Sequence, residues 1–207
     1  MKKVIILNGP PNCGKDAIAD YLVEKYPNVR KKSFKERLTS LTQMIHNVST
    51  EWWEENYTRE LKEKPSERLS GLTPREALIK VSETVIKPNY GKDYFGKAAA
   101  ESLEEGINVF SDGGFKEEII PLTDEVGSDN IIIVRITRPD CSFEGVLGRI
   151  VRLFFSFVAK ITRTPRPIGG DSRNYLNVPN VKAVDVDNDG SLEEFKEKID
   201  NVVNQML

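Results

Sequence analysis

Residues 1–26 read MKKVIILNGPPNCGKDAIADYLVEKY, and this stretch decides the fold. Residues 4–7 are a continuous apolar, largely β-branched run, the pattern of a strand buried on both faces. Asn8-Gly9-Pro10-Pro11 cannot extend it. Beyond Gly14-Lys15-Asp16, the residues Ala17, Ile18, Tyr21 and Leu22 recur at helical spacing. Strand, glycine loop and helix in that order make Gly9-x-x-x-x-Gly14-Lys15 a phosphate-binding loop. The glycines let backbone N–H groups converge on an anion. The helix N-terminus adds about half a positive charge, and Lys15 can reach the outer phosphates.

The pattern asks for Ser or Thr after the lysine, where a hydroxyl ligates Mg²⁺. This chain has Asp16. A carboxylate is a good ligand for a hard cation, directly or through water. An acid in the first turn of a helix is also favoured by the dipole alone. Both readings stand at this point.

Composition narrows the class. A length of 207 residues suits one domain with room for an inserted lobe. A net charge of −2 and a pI near 5.7 give no global reason to expect nucleic-acid binding. The two cysteines, Cys13 and Cys141, form neither a disulfide framework nor a metal spacing. The single histidine, His46, argues against a His-based metal site or a Ser–His–Asp hydrolase. No secretory signal and no run of transmembrane length is visible, so a cytoplasmic protein is expected.

Further along, residues 29–32 suit a short strand. Ser33-Phe34-Lys35-Glu36 has capping-box spacing and opens a helix to about residue 46, with Phe34, Leu38, Leu41, Met44 and Ile45 expected inward. Trp52 and Trp53 are adjacent and cannot share a helix face; a core anchor beside a partly exposed ring is expected, with a base-stacking ring as the functional alternative. Thr73-Pro74-Arg75-Glu76 is the clearest helix start, and its apolar face runs to Pro88. Arg75 lies in the first turn, where the dipole disfavours a cation; it is either an anion contact or a surface arginine. Asn89-Tyr90-Gly91-Lys92 reads as a turn, Asp93 as the cap of a helix over 94–105, and residues 107–110 as a strand.

That strand runs into Ser111-Asp112-Gly113-Gly114, and an acid at the carboxyl end of a parallel strand near the loop is placed to hold Mg²⁺ or its water. Asp112 is therefore a candidate metal and catalytic residue. A helix over 116–125 carries Pro121, strands follow at 130–136 and 181–186, and Ser191/Glu194 box the start of a C-terminal helix. Strands alternating with helices imply a mostly parallel sheet of five strands with helices on both faces. Residues 145–170 hold Arg149, Arg152, Lys160, Arg163 and Arg166 without an acid. A lid closing over phosphates, a packed helix with a basic face and a membrane-surface or partner helix all fit that segment.

Three stretches carry a resemblance: GPPNCGKDAIADYL, TPREALIKVSETVIKPNYGKDYFGKAA and VDNDGSLEEFKEKIDNV. Together they resemble the deoxynucleoside monophosphate kinases of tailed bacteriophages, within the P-loop nucleoside monophosphate kinases. The resemblance implies a P-loop NTPase-type three-layer sandwich forming one domain, a helical lobe for the monophosphate over about 33–105 and a lid or insertion over about 142–175. It implies ATP on Gly9, Asn12, Cys13, Gly14, Lys15, Asp16 and Ala17, Mg²⁺ near Asp16 and Asp112, and the acceptor near Arg75, Lys87 and Lys92. Arg138 and Arg173 become candidates for screening charge in the transition state. Where the family continues with an arginine after the acid of its third strand, this chain has Gly113-Gly114, and residues 146–170 look inserted.

The activity so implied is transfer of the ATP γ-phosphate to a (deoxy)nucleoside monophosphate, in the host cytoplasm if the chain is phage-encoded. Neither a nucleic acid nor a membrane is expected as partner, a basic segment at 146–170 being the one feature against the latter, and a homodimer is open. The rival readings are a kinase for another small acceptor, a nucleotide-binding module without turnover, and a basic-helix interaction protein.

Overall fold

A computed structural model of the protein describes residues 1–143 and 174–206. Five strands form one sheet: β1 (Lys2–Asn8), β2 (Val29–Lys32), β3 (Gly106–Phe110), β4 (Ile131–Thr137) and β5 (Lys182–Asp187). Every pairing is parallel and the spatial order is β2-β3-β1-β4-β5. Strand β1 is central, with Ile6 opposite Phe110 on one side and Ile133 on the other. The chain fills the β3 side first and then crosses to β4. The carboxyl end of β1 is thus the switch point where ligands bind in open α/β sheets, and the glycine loop leaves β1 there.

Alternation along the strands divides the core. Ile5, Leu7, Val109, Val134 and Ile136 bury one face against α1 (Lys15–Lys25) and α8 (Leu192–Val203), with Ile18, Leu22, Phe195 and Ile199. Val4, Ile6, Phe110, Ile131 and Ile133 bury the other against α6 (Tyr94–Glu101) and α7 (Lys116–Val126), with Ala99, Ile119 and Leu122. Each such side chain contributes about 1.5–3 kcal/mol relative to exposure. This is the three-layer α/β sandwich of P-loop type that the sequence led us to expect. The edge strands are charged, VRKK in β2 and KAVDVD in β5, which discourages pairing with another sheet.

Between β2 and β3 the chain is helical: α2 (Glu36–His46), α3 (Thr50–Asn56), α4 (Pro74–Lys80), a π-helical segment Val81–Ile86, α5 (Lys87–Tyr90) and α6. Trp53 anchors one cluster with Val48, Leu69, Ala77 and Leu78, and Trp52 is half-buried beside it, as the adjacent pair suggested. The boxes at Thr73/Glu76 and Ser191/Glu194 form as read.

Several local readings are corrected. Ser33 does not cap α2: its Oγ accepts from the Lys35 N–H, one residue ahead of the helix, and its hydroxyl donates to Asp112, while Lys35 takes the N-cap position without a side-chain bond. Met44 and Ile45 are 76% and 53% exposed, because α2 presents Thr42 rather than these residues to its neighbours. The α4 helix does not stop before Pro88 but widens into π turns and continues to Tyr90, so Asn89 and Tyr90 are helical and not a turn. The Lys87 N–H bonds back five residues to Ser82, and a wide turn of this kind accommodates a residue without an N–H. The helix expected over 94–105 ends at Glu101, and Asp93 pairs with Lys97 rather than capping it.

Candidate active site

The loop after β1 is built by close approach. A methyl on Gly9 would stand 2.5 Å from the Ile136 carbonyl oxygen, so the loop lies against β4 with no side chain between. Gly14 is left-handed at φ 107°, and a methyl there would meet the Asn188 side chain at 2.9 Å. Gly14 is the N-cap of α1, which aims the first N–H groups of the helix into the loop. Lys15 Nζ donates to the carbonyls of Gly9 and Pro10, both at 2.7 Å, and approaches Cys13 Sγ at 3.6 Å. The Cys13 side chain is fully buried in the core, where burial raises its thiol pKa against the opposing charge of Lys15; only its backbone is offered to a ligand. Asn188, just past β5, clamps the loop by donating to the Cys13 carbonyl at 2.9 Å. Ala17 is exposed on the next turn of α1.

The end of β3 supplies the facing wall. Ser111 Oγ donates to Asp16 Oδ1 at 2.7 Å. Asp112, one residue on, is turned toward the helical lobe. Its Oδ2 accepts from Ser33 Oγ at 2.6 Å and the Lys35 N–H at 3.2 Å, and its Oδ1 from the Phe34 N–H at 3.1 Å. Gly113 packs under Phe34 and Ile6, where a methyl would lie 2.9 Å from the Phe34 ring, so a side chain at that position would have to displace the ring.

Glu118 closes this corner, its Oε2 accepting from the Gly114 and Phe115 N–H groups at 3.1 Å each. Burial, with the charge of Asp112 nearby, pushes its carboxyl up to about 7 despite those two bonds and Lys35. The folded state therefore keeps a proton that the unfolded chain releases near 4.5. Stability from this group falls as pH rises from there toward 7, and the loss is complete above both values. We expect Glu118→Gln, which retains an acceptor oxygen, to flatten urea-unfolding stability across that window and to exceed wild type at pH 8. An unchanged pH slope in the variant would rule out this origin.

Basic side chains gather at the tip of the loop and beside it. Arg59, in the turn after α3, donates from Nη2 to Asn12 Oδ1 at 2.8 Å, and Arg138, just past β4, donates to the Asn12 carbonyl at 3.2 Å. Two arginines from different elements thus meet at the tip of the loop, where Asn12 holds a left-handed conformation. Lys62 is half-buried in the same turn. Burial first, then the charges of Arg75, Lys35 and Arg59, hold its ammonium below the usual lysine range, with Glu63 opposing. Arg75 pairs with Glu63, and its N–H donates to the Lys62 carbonyl. Of the expected acceptor contacts, Arg75 falls in this cluster. Lys87 pairs with Glu83 and lies over the Phe115 ring, and Lys92 is exposed beyond α5. Arg173 and the basic segment 145–170 lie outside the described residues.

Arg59, Lys62, Ser111, Asn188 and Glu118 were not singled out by sequence. Arg59 and Lys62 sit in a charged stretch with no motif, and Ser111 stood beside a more conspicuous acid.

A nucleoside triphosphate suits this loop: a cradle without Cβ atoms at Gly9 and Gly14, a helix N-terminus, and Lys15. Mg²⁺ suits the oxygen donors Asp16 and Ser111. Among the described residues no cluster of His, Cys, Asp and Glu could hold a metal by itself, so phosphate oxygens would complete the shell. No helix among the described residues is long and apolar enough to cross a membrane.

No protein-family model and no curated protein sequence matches the chain. Solved structures align over nearly its whole length. A provisionally assigned kinase from Chloroflexus aurantiacus j-10-fl is 14% identical with a TM-score of 0.41, covering 100% of this chain and 98% of the other. A gluconokinase from Sinorhizobium meliloti 1021 is 13% identical with a TM-score of 0.39, at 100% and 98% coverage. An uncharacterized protein from Eubacterium ventriosum ATCC 27560 is 12% identical with a TM-score of 0.36, at 99% of each chain.

Proposed function

We propose that the chain is an ATP-dependent kinase whose acceptor already carries a phosphate, a (deoxy)nucleoside monophosphate. The observation that carries this reading is the cation cluster of Lys35, Arg59, Lys62 and Arg75 beside the phosphate loop. Glu63 pairs with Arg75 and offsets part of the charge around half-buried Lys62, and a bound anion would offset more of it. A triphosphate on the loop accounts for Lys15 and α1; a second anion on the lobe side accounts for this cluster.

Transfer of this kind needs positioning and charge neutralisation more than covalent help. A phosphate oxygen of the acceptor attacks the γ-phosphorus, and the bond from that phosphorus to the β–γ bridging oxygen breaks, leaving ADP. The attacking oxygen is already anionic, so no general base is required. Lys15 and the loop N–H groups hold the donor phosphates. Arg75 and Lys62 orient the acceptor phosphate, Lys87 and Lys92 are further basic residues assigned to it, and Arg173, outside the described residues, is assigned to screening charge in the transition state. Arg59 and Arg138, which meet at Asn12, are the residues we assign to stabilising charge on the group in transit. Mg²⁺, when bound, offsets charge on the donor phosphates.

The test is ADP formation from Mg·ATP against a panel of common NMPs and dNMPs, with gluconate and nucleosides as unphosphorylated acceptors. Turnover confined to monophosphates supports the reading, and turnover with unphosphorylated acceptors alone would overturn it. Arg59→Ala is expected to lower kcat about 10²-fold or more, with ATP affinity little changed. A fall in affinity alone would make Arg59 a clasp on the loop. Acceptor binding should also take up protons, since a neighbouring anion raises the lowered Lys62 pKa. Calorimetry in two buffers of different ionisation enthalpy reads this, and affinity should weaken as pH rises toward that pKa. Equal heats in both buffers at every pH would remove Lys62 from the acceptor site.

A further inference from the structure

In a phosphate loop of the usual pattern the hydroxyl sits after the lysine and the carboxylate on the neighbouring strand, and both serve Mg²⁺. Here both groups are present, on opposite elements. The carboxylate follows Lys15 as Asp16, and the hydroxyl follows β3 as Ser111. They touch, Ser111 Oγ donating to Asp16 Oδ1 at 2.7 Å. The acid that the sequence offers for the strand side, Asp112, has both oxygens engaged by Ser33, Phe34 and Lys35. Those three bonds tie the end of β3 to the start of α2, so releasing Asp112 toward the loop would break the link between sheet and lobe.

We propose that Asp16 is the protein's carboxylate at the divalent-cation site of the bound nucleotide and that Ser111 is its orienting hydroxyl, the two groups having exchanged the elements that usually carry them. This rests on the nucleotide-binding part of the proposed function. Charge explains why the exchange is workable. With a cation between them, a carboxylate in the first turn of α1 and the donor phosphates attract through the metal. Without the cation, a carboxylate in that first turn and phosphates bound at the helix N-terminus would repel. Asp16 therefore makes nucleotide binding more metal-dependent than a hydroxyl at that position would. Ser111 is buried and fixed at the strand end, so its bond holds the carboxylate against one wall of the cleft.

The experiment is nucleotide affinity by calorimetry, for ADP and ATP, in Mg²⁺ and in EDTA at matched ionic strength. Wild type, Asp16→Asn, Asp16→Ser, Ser111→Ala and the double variant Asp16→Ser/Ser111→Asp are compared, with thermal melts to show folding. Wild type should bind more tightly with Mg²⁺. Asp16→Asn should cut that gain about tenfold or more, and should bind more tightly than wild type in EDTA, a reversal of sign that loss of a merely structural bond does not produce. Ser111→Ala should show a smaller loss of the gain. The double variant should recover a metal gain that Asp16→Ser lacks. An Asp16→Asn variant with the wild-type metal gain would overturn the proposal, as would equal wild-type affinity in Mg²⁺ and EDTA. Absence of nucleotide binding by wild type in either condition would overturn it together with the proposed function. If the double variant does not fold, the Asp16→Asn comparison decides alone.

Discussion

Lys15→Ala is expected to reduce kcat/KM for phosphoryl transfer by about 10³-fold or more, the scale lost with one preorganised charged donor at a reacting group. The ammonium is fixed by the carbonyls of Gly9 and Pro10 at 2.7 Å, at the mouth of the loop and one residue past the glycine that starts α1. No other described cation is bonded to both of those carbonyls. Arg59 and Arg138 reach Asn12 at the loop's tip instead, so neither replaces the lysine. Lys15→Arg should not rescue, because a planar fork does not fit a place made for a compact charge. Stability should change by only about 1 kcal/mol, the ordinary worth of the lost hydrogen bonds, which a thermal melt checks. A variant that keeps a tenth of wild-type turnover would contradict the role given to this residue.

Phe110→Ala is expected to destabilise the fold by about 3–5 kcal/mol. The ring is wholly buried on the α6–α7 face of the sheet and stacks on Phe34 with centroids 4.5 Å apart. Phe34 begins the lobe, and its N–H holds Asp112. The cavity would thus open at the joint between the sheet and the β2–β3 segment that carries Arg59, Lys62 and Arg75. Urea unfolding should show a lower midpoint with little change in slope. The acceptor KM should rise more than the ATP KM, because the loop is anchored to the other face through Ile136 and Asn188. A cost under 1 kcal/mol, or equal effects on both substrates, would show that the stack does not couple lobe to sheet.

Both predictions depend on parts of the chain that were legible to different degrees. The glycine loop, the five strands and the boxes at Thr73 and Ser191 are local patterns: backbone geometry, period and a capping side chain three residues from its partner. Such features need no distant contact, and they stand in the structure as read. Where two local rules competed, packing chose. Ser33 could cap α2, but its Oγ accepts from the Lys35 N–H, ahead of the helix, while its hydroxyl donates to the Asp112 carboxylate, so the connection is tied to β3 instead of closing the box. Met44 and Ile45 fit the same helical stripe as Leu38 and Leu41, yet only the latter pair packs against the neighbouring helices, and Met44 and Ile45 in the last turn of α2 are left exposed.

The sequence by itself determined that a strand, a phosphate loop and a helix open a parallel α/β sheet, because each step is encoded within a few residues of itself. The tertiary structure alone decided which side chains meet at that loop. Ser111 faces Asp16 across 95 residues and Arg59 reaches Asn12 across 47. A one-residue change of direction at the end of β3 gives the loop a hydroxyl and the lobe a carboxylate. Nothing in the local pattern distinguishes Ser111 from Asp112 in this respect. The difference arises from the sheet order that sets β3 beside β1, and from the three donors of the β2–α2 connection that claim the acid first.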